Sequence, residues 1–184
     1  MIDLSGSTLD EYERTMTFVR EAVYGLDFRF NRARVAVITY GSTAQVRFDL
    51  DAYTAKDDVI NALRFMPNVG RTNTQQAIAR MRNDVFRGAG AGVGDRAGVA
   101  NVGVLVTDGF SNVQRENTIP EALRARNDDD IALYVIALGD QVDRAEVNGI
   151  AGYRQEPASD YVYNIMNTGQ VGDVTRTWLE HLCQ

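Results

Sequence analysis

Apolar residues recur at helical spacing over residues 9–26. Leu9, Tyr12, Met16, Val19, Val23 and Leu26 fall on one face of a helix. Ser7 or Thr8 precedes this run as a candidate cap, and Gly25 lies near its end. The period then changes. Residues 34–40 read Arg-Val-Ala-Val-Ile-Thr-Tyr, a β-branched run closed by Gly41, and residues 44–48 form a second short run after a tight turn. That pair predicts an antiparallel hairpin. Residues 102–107 and 131–138 are near-continuous apolar runs, as expected of strands buried on both faces. Helices are predicted over residues 56–65, 73–86, 120–126, 143–150 and 171–182, the third with a proline in its first turn. Residues 1–4 and 161–163 read as short strands.

Strands that alternate with helices in this way predict an α/β fold. The expected form is an open, mostly parallel, doubly wound sheet with one short antiparallel edge strand and helices on both faces. A chain of 184 residues is sized for a single domain, here residues 1–184. In such sheets ligands bind beyond the carboxyl ends of the strands. That directs attention to residues 3–7 and to Asp108. The Gly- and Ala-rich residues 87–99 precede a strand and lack the Gly-Lys-Ser/Thr ending of a nucleotide loop, so they read as a surface loop.

Charge and cysteine content narrow the partners. A net charge of −6 argues against a nucleic-acid partner. No apolar run is long enough to span a bilayer, so no membrane insertion is expected. Cys183 is the only cysteine and cannot form an internal disulfide. The residues alone leave open a free thiol or half of a bridge to a cysteine outside this chain.

Three polar segments lie at predicted strand ends or helix starts: Asp3-Leu4-Ser5-Gly6-Ser7, Gly70-Arg71-Thr72-Asn73-Thr74, and Thr107-Asp108-Gly109. Singly each has a plainer reading. Ser7 or Thr72 would cap a helix, and Asp-Gly is a common turn. Together they offer two carboxylates, Asp3 and Asp108, and three hydroxyls, Ser5, Ser7 and Thr72. These are hard oxygen donors with no histidine or thiolate nearby in sequence, which disfavours zinc and copper and suits Mg2+, with Mn2+ or Ca2+ as substitutes. Two carboxylates only just neutralise a dication, so such a metal stays electrophilic and can accept a carboxylate from a partner.

In order and position, Asp3-x-Ser5-x-Ser7, Thr72 and Asp108 resemble the metal-ion-dependent adhesion site (MIDAS) of von Willebrand factor A (VWA) domains. Residues 33–40, Phe48-Asp49-Leu50, Arg71-Thr72-Asn73-Thr74 with Ala77-Ile78, residues 104–109 and residues 131–139 resemble the matrilin and collagen-type subgroup, so the likeness covers essentially the whole chain. It implies a secreted, non-enzymatic extracellular-matrix module. Such a module binds a protein partner, collagen or another matrix protein, through a cation held by Asp3, Ser5, Ser7, Thr72 and Asp108. It also implies a bridge from Cys183 to a cysteine upstream of residue 1. Only Met1 and Ile2 precede Asp3, against several more apolar residues in the family, so the first strand reads as truncated. Arg71 and Gln75 stand where glycines are usual. Partner choice is expected to lie in the surrounding loops, residues 8–12, 68–71 and 110–116.

Other readings are weaker. An intracellular VWA scaffold module and a matrix protein acting in biomineralisation share the same fold. The first strand's Asp also resembles that of haloacid-dehalogenase-type phosphatases, but Ser5 stands where their acid would be. Ser5 and Ser7 sit in no Gly-x-Ser-x-Gly elbow, and the one histidine, His181, is expected at the surface of the last helix.

Overall fold

A computed structural model describes residues 1–66, 70–86, 94–154 and 158–182. Six strands form one sheet in the order β3-β2-β1-β4-β5-β6. They are β1 (Ile2–Asp3), β2 (Val37–Tyr40), β3 (Ala44–Phe48), β4 (Asn101–Thr107), β5 (Ile131–Leu138) and β6 (Val162–Ile165). All neighbours run parallel except β2 and β3, which form the expected antiparallel hairpin with Tyr40 opposite Ala44. The helices are α1 (Tyr12–Gly25), α2 (Lys56–Ala62), α3 (Thr74–Arg80), α4 (Thr118–Asn127), α5 (Arg144–Ile150) and α6 (Val171–Leu182). They form two sets, α2–α1–α6 and α3–α4–α5, each packed among its own members on one face of the sheet.

Burial explains the continuous apolar runs. Leu105 and Val106 in β4, and Ile131, Leu133, Val135, Ile136 and Leu138 in β5, have almost no exposure. Both faces of these central strands are covered, so period-two alternation would place polar groups in the core. Met16 and Phe18 of α1 and Trp178 of α6 close one face; Ile78 of α3, Ala122 of α4 and Ile150 of α5 close the other.

The central strand is short. Ile2 pairs with Thr39 of β2 and Val106 of β4, while β4 pairs with β5 over seven residues. Amino-terminal to Ile2, a cleft of about 620 Å³ runs between β2 and β4, lined by Phe18, Val23, Val37, Val104 and Trp178. The Met1 α-amino nitrogen donates to the Val104 carbonyl at 2.6 Å, and the Val106 N–H donates to the Met1 carbonyl at 3.0 Å. The amino terminus thus occupies the ladder position of a strand amide. Burial pushes its pKa down to about 5.

Several local expectations are corrected. Residues Gly6–Glu11 form a 3₁₀ turn ahead of α1, and neither Ser7 nor Thr8 caps that helix. Asn73, and not Thr72, caps α3, its side chain accepting the Gln76 N–H. The helix predicted over residues 73–86 changes to a π-helix at Met81–Phe86. His181 is half-buried, hydrogen-bonded to the Tyr163 hydroxyl at 2.8 Å and packed edge-on to Tyr134. Cys183, residues 68 and 69 of one specificity loop, and residues 87–93 of the glycine-rich stretch lie outside the described residues.

Candidate metal centre

β1 and β4 are neighbours, and both end at the same edge of the sheet. Asp3 is the last residue of β1, and Asp108 directly follows Thr107, the last of β4. Both carboxylates are buried, Asp3 at 1% exposure and Asp108 at 5%. Asp3 Oδ1 accepts the Ser5 N–H at 3.0 Å, and Oδ2 accepts the Thr107 hydroxyl at 2.7 Å. Burial raises the Asp3 pKa to about 6; Ser5 and Thr107 pull it back, and the nearby negative charge of Asp108 adds to the rise.

The first loop folds back over the end of β1. The Thr8 hydroxyl donates to the carbonyls of Asp3 at 3.1 Å and Ser5 at 3.2 Å. This aligns the Ser5 and Ser7 hydroxyls, 3.3 Å apart, with Ser5 buried and Ser7 exposed. The Gly6 N–H donates to the Gly70 carbonyl at 3.2 Å, which ties the first loop to the second.

The second and third loops are clamped by Asn112. Its Oδ1 accepts the Thr72 N–H at 3.0 Å, and the Thr72 carbonyl accepts the N–H groups of Asn112 at 3.0 Å and Val113 at 3.1 Å. Thr72 is buried, and its hydroxyl makes no hydrogen bond among the described residues. Ser42 supports the same loop by accepting the Arg71 N–H on its hydroxyl at 3.0 Å. A Cβ at Gly70 would lie 2.6 Å from that hydroxyl oxygen. Gly70→Ala is therefore expected to turn Ser42 away, release Arg71 and loosen Thr72. Titration calorimetry with Mg2+ should show affinity down by about tenfold, the loss of roughly one supporting hydrogen bond; unchanged affinity would mean that Thr72 is placed without Ser42.

The third loop is held from behind. Asp108 Oδ1 accepts the Phe110 N–H at 3.0 Å, and its carbonyl accepts the Asp143 N–H at 3.1 Å. Gly109 has φ +80°, and a Cβ there would meet Val147 at 2.8 Å, so the Asp-Gly turn needs its glycine. Ser111 donates its hydroxyl to the buried Glu146 at 2.7 Å, and Arg115 pairs with Asp143 and Glu146. Burial raises the Glu146 pKa.

The structure gathers Asp3, Ser5, Ser7 and Asp108 at one edge, and backbone bonds draw Thr72 to the loops on either side. The roles of Thr107, Ser42, Asn112 and Glu146 escaped the sequence reading, although Thr107 lies in a quoted segment and Asn112 in a partner loop. Thr107 is adjacent to a singled-out residue, but the others are common polar residues in loops or short helices and carry no motif. Among the described residues no three His, Cys, Asp or Glu side chains cluster as a metal site, so any cation here depends on hydroxyls as well as on two carboxylates. The donors fit a hard dication. Asp3 and Asp108 are buried close together with hydrogen bonds but, among the described residues, no cationic partner, and burial without such a partner raises the Asp3 pKa. Asp3, Ser5, Ser7, Thr72 and Asp108 could supply oxygens to Mg2+ or a similar ion.

Known proteins share this fold. The chain is 28% identical to chicken (Gallus gallus) matrilin-3 over 100% of its own length and 39% of that protein. It is 27% identical to the mouse (Mus musculus) collagen alpha-4(VI) chain, covering 100% of itself and 8% of the relative. It thus spans well under half of these relatives. The structure of proximal thread matrix protein 1 from the mussel byssus superposes with a TM-score of 0.84 at 21% identity, over 99% of this chain and 46% of that one. A further structure of that mussel protein, with a zinc-occupied MIDAS motif, matches with a TM-score of 0.77 at 22% identity, over 99% of this chain and 44% of that one. The model of the von Willebrand factor type A domain matches residues 1–177. With that match over nearly the whole chain, and the sheet order and loops described above, the protein belongs to the von Willebrand factor type A domain family.

Proposed function

We propose that the domain binds one divalent cation through Asp3, Ser5, Ser7, Thr72 and Asp108 and uses it to hold a carboxylate of a partner protein in the extracellular matrix. One observation carries this reading: two buried carboxylates, Asp3 and Asp108, meet at the sheet edge beside a hydroxyl pair that runs from buried Ser5 to exposed Ser7. The buried pair favours a cation, and the exposed end gives a partner access to it. Mg2+ suits the all-oxygen donors, with Mn2+ or Ca2+ as substitutes. Bound there, the cation would supply an electrophilic centre for an incoming carboxylate.

The role proposed is binding and not catalysis. The one histidine, His181, is engaged with Tyr163 and does not pair with Ser5. The likeness to matrilins and collagen chains supports a secreted matrix setting and a matrix or collagen-like partner. No described helix is long and apolar enough to cross a membrane. The bridge from Cys183 to an upstream cysteine belongs to the same reading.

Titration calorimetry with Mg2+ and Mn2+, comparing wild type with Asp108→Ala, tests the site. The expected result is one cation per domain, lost in the variant because one of its two charged ligands is gone. Unchanged binding in Asp108→Ala would overturn the assignment.

A further inference from the structure

Arg71 stands at the candidate cation site, between Gly70, which bonds to Gly6 of the first loop, and Thr72. Its side chain is exposed but not loose. Its backbone N–H is held by Ser42, and its Nη2 donates to the Asn112 carbonyl at 2.7 Å. Asn112 is also the residue that clamps Thr72. The guanidinium is therefore anchored across the gap between the second and third loops; Arg71 is next to Thr72 in sequence, and the Asn112 it bonds to is four residues from Asp108.

A guanidinium carries five N–H donors in a planar fork, and a single one accounts for the bond to Asn112. Among the described residues Arg71 has no carboxylate partner. Two arginines near this rim are otherwise placed: Arg115 pairs with Asp143 and Glu146, and Arg14 pairs with Glu11. In a chain of net charge −6, this site thus keeps one anchored, exposed cationic side chain with spare donors.

We propose that Arg71 is a second anion contact beside the cation, so that the partner is read at two points. One partner carboxylate binds the cation, and a second acidic side chain takes the free N–H donors of Arg71. The inference rests on the cation-bridged reading and sharpens it: the partner segment carries two acidic residues close together and not an isolated one. Arg71 would then set partner choice without holding the cation.

Three capped tetrapeptides serve as probes: one with a single glutamate, one with two glutamates, and one with a glutamate and a glutamine. They are titrated into the domain in excess Mg2+ and followed by NMR amide shifts, while Mg2+ affinity is measured separately by calorimetry. In wild type the two-glutamate peptide should bind about three- to fivefold more tightly than the glutamate–glutamine peptide, the gain of one exposed charge-assisted contact. That preference should vanish in Arg71→Ala and Arg71→Gln with Mg2+ affinity unchanged, and persist in Arg176→Ala, which removes an exposed arginine on α6. A wild-type domain that takes Mg2+ but shows no preference overturns the two-point reading alone, as does a preference that survives Arg71→Ala. A wild-type domain that takes no Mg2+ overturns the cation reading and this one with it.

Discussion

Asp3→Asn should make the cation-free domain more stable at pH 7 and abolish its response to Mg2+. Asp3 is almost fully buried, and its pKa is raised from 3.8 to about 6, chiefly by desolvation. A carboxyl whose folded pKa exceeds its unfolded value favours folding only while protonated. Its contribution is complete below about pH 4 and is lost as the pH rises through about 6. The loss is about 3 kcal/mol, two pH units at 1.36 kcal/mol each. Asparagine keeps an oxygen for the Ser5 N–H and carries no charge. In chelator at pH 7 its melting temperature should rise by roughly 5–10 °C for a chain of this size. At pH 4 the two proteins should melt together. Adding Mg2+ should raise the wild-type melting temperature and leave the variant where it was. A variant that melts lower than wild type in chelator would mean that the protein compensates the Asp3 charge without a metal.

The second large effect is expected at the other end of β1, in the domain prepared as residues 1–184 with a free Met1 amine. The Met1 amine is fully buried, and its pKa falls from 8.0 to about 5 through desolvation. For a lowered amine the sign is the reverse of that for Asp3. The contribution to stability is complete above about pH 8 and is lost as the pH falls toward 5. The loss is about 1.4 kcal/mol by pH 7 and about 4 kcal/mol by pH 5. Acetylating Met1 replaces the amine with an amide that still donates to Val104 and has no proton to gain. The acetyl methyl enters the apolar cleft between Val37 and Val104. Lys56 is the only lysine, so a Lys56→Arg background lets chemical acetylation target the terminus. The acetylated protein should melt about 3–6 °C higher at pH 7, more than twice that margin higher at pH 5.5, and level with the free amine at pH 8.5. A margin independent of pH would show that the amine keeps its charge out of the sheet.

These two groups also mark how far the chain could be read before it was folded. Elements with a clear period were legible. The runs at residues 102–107 and 131–138 became β4 and β5 with little change, and the residue 171–182 helix became α6 with the same bounds. Ends set by tertiary partners were not. Residues 34–36 look as strand-like as Val37, yet β2 starts at Val37, where Phe48 of β3 becomes available as a partner. Residues 9–11 look helical, but the Thr8 hydroxyl is drawn to the end of β1 and the segment Gly6–Glu11 tightens to a 3₁₀ turn. At the candidate site the oxygen-bearing side chains formed a pattern, so they could be singled out. Asn112 and Ser42 act through backbone groups brought from about 30 to 40 residues away, which no spacing rule exposes.

The placement of β1 between β2 and β4 also sets a timetable for synthesis. Asp3 emerges from the ribosome ahead of Asp108, which follows 105 residues later. At 5–20 residues per second that interval is on the order of 5–20 seconds. Throughout it the nascent chain holds one half of the candidate site with nothing to face it, and the central strand has a neighbour on one side only. Cation capture cannot assist the early steps of folding. On the proposed reading the cation would act only on a chain whose sheet has already closed around β1, as a late seal on the finished domain.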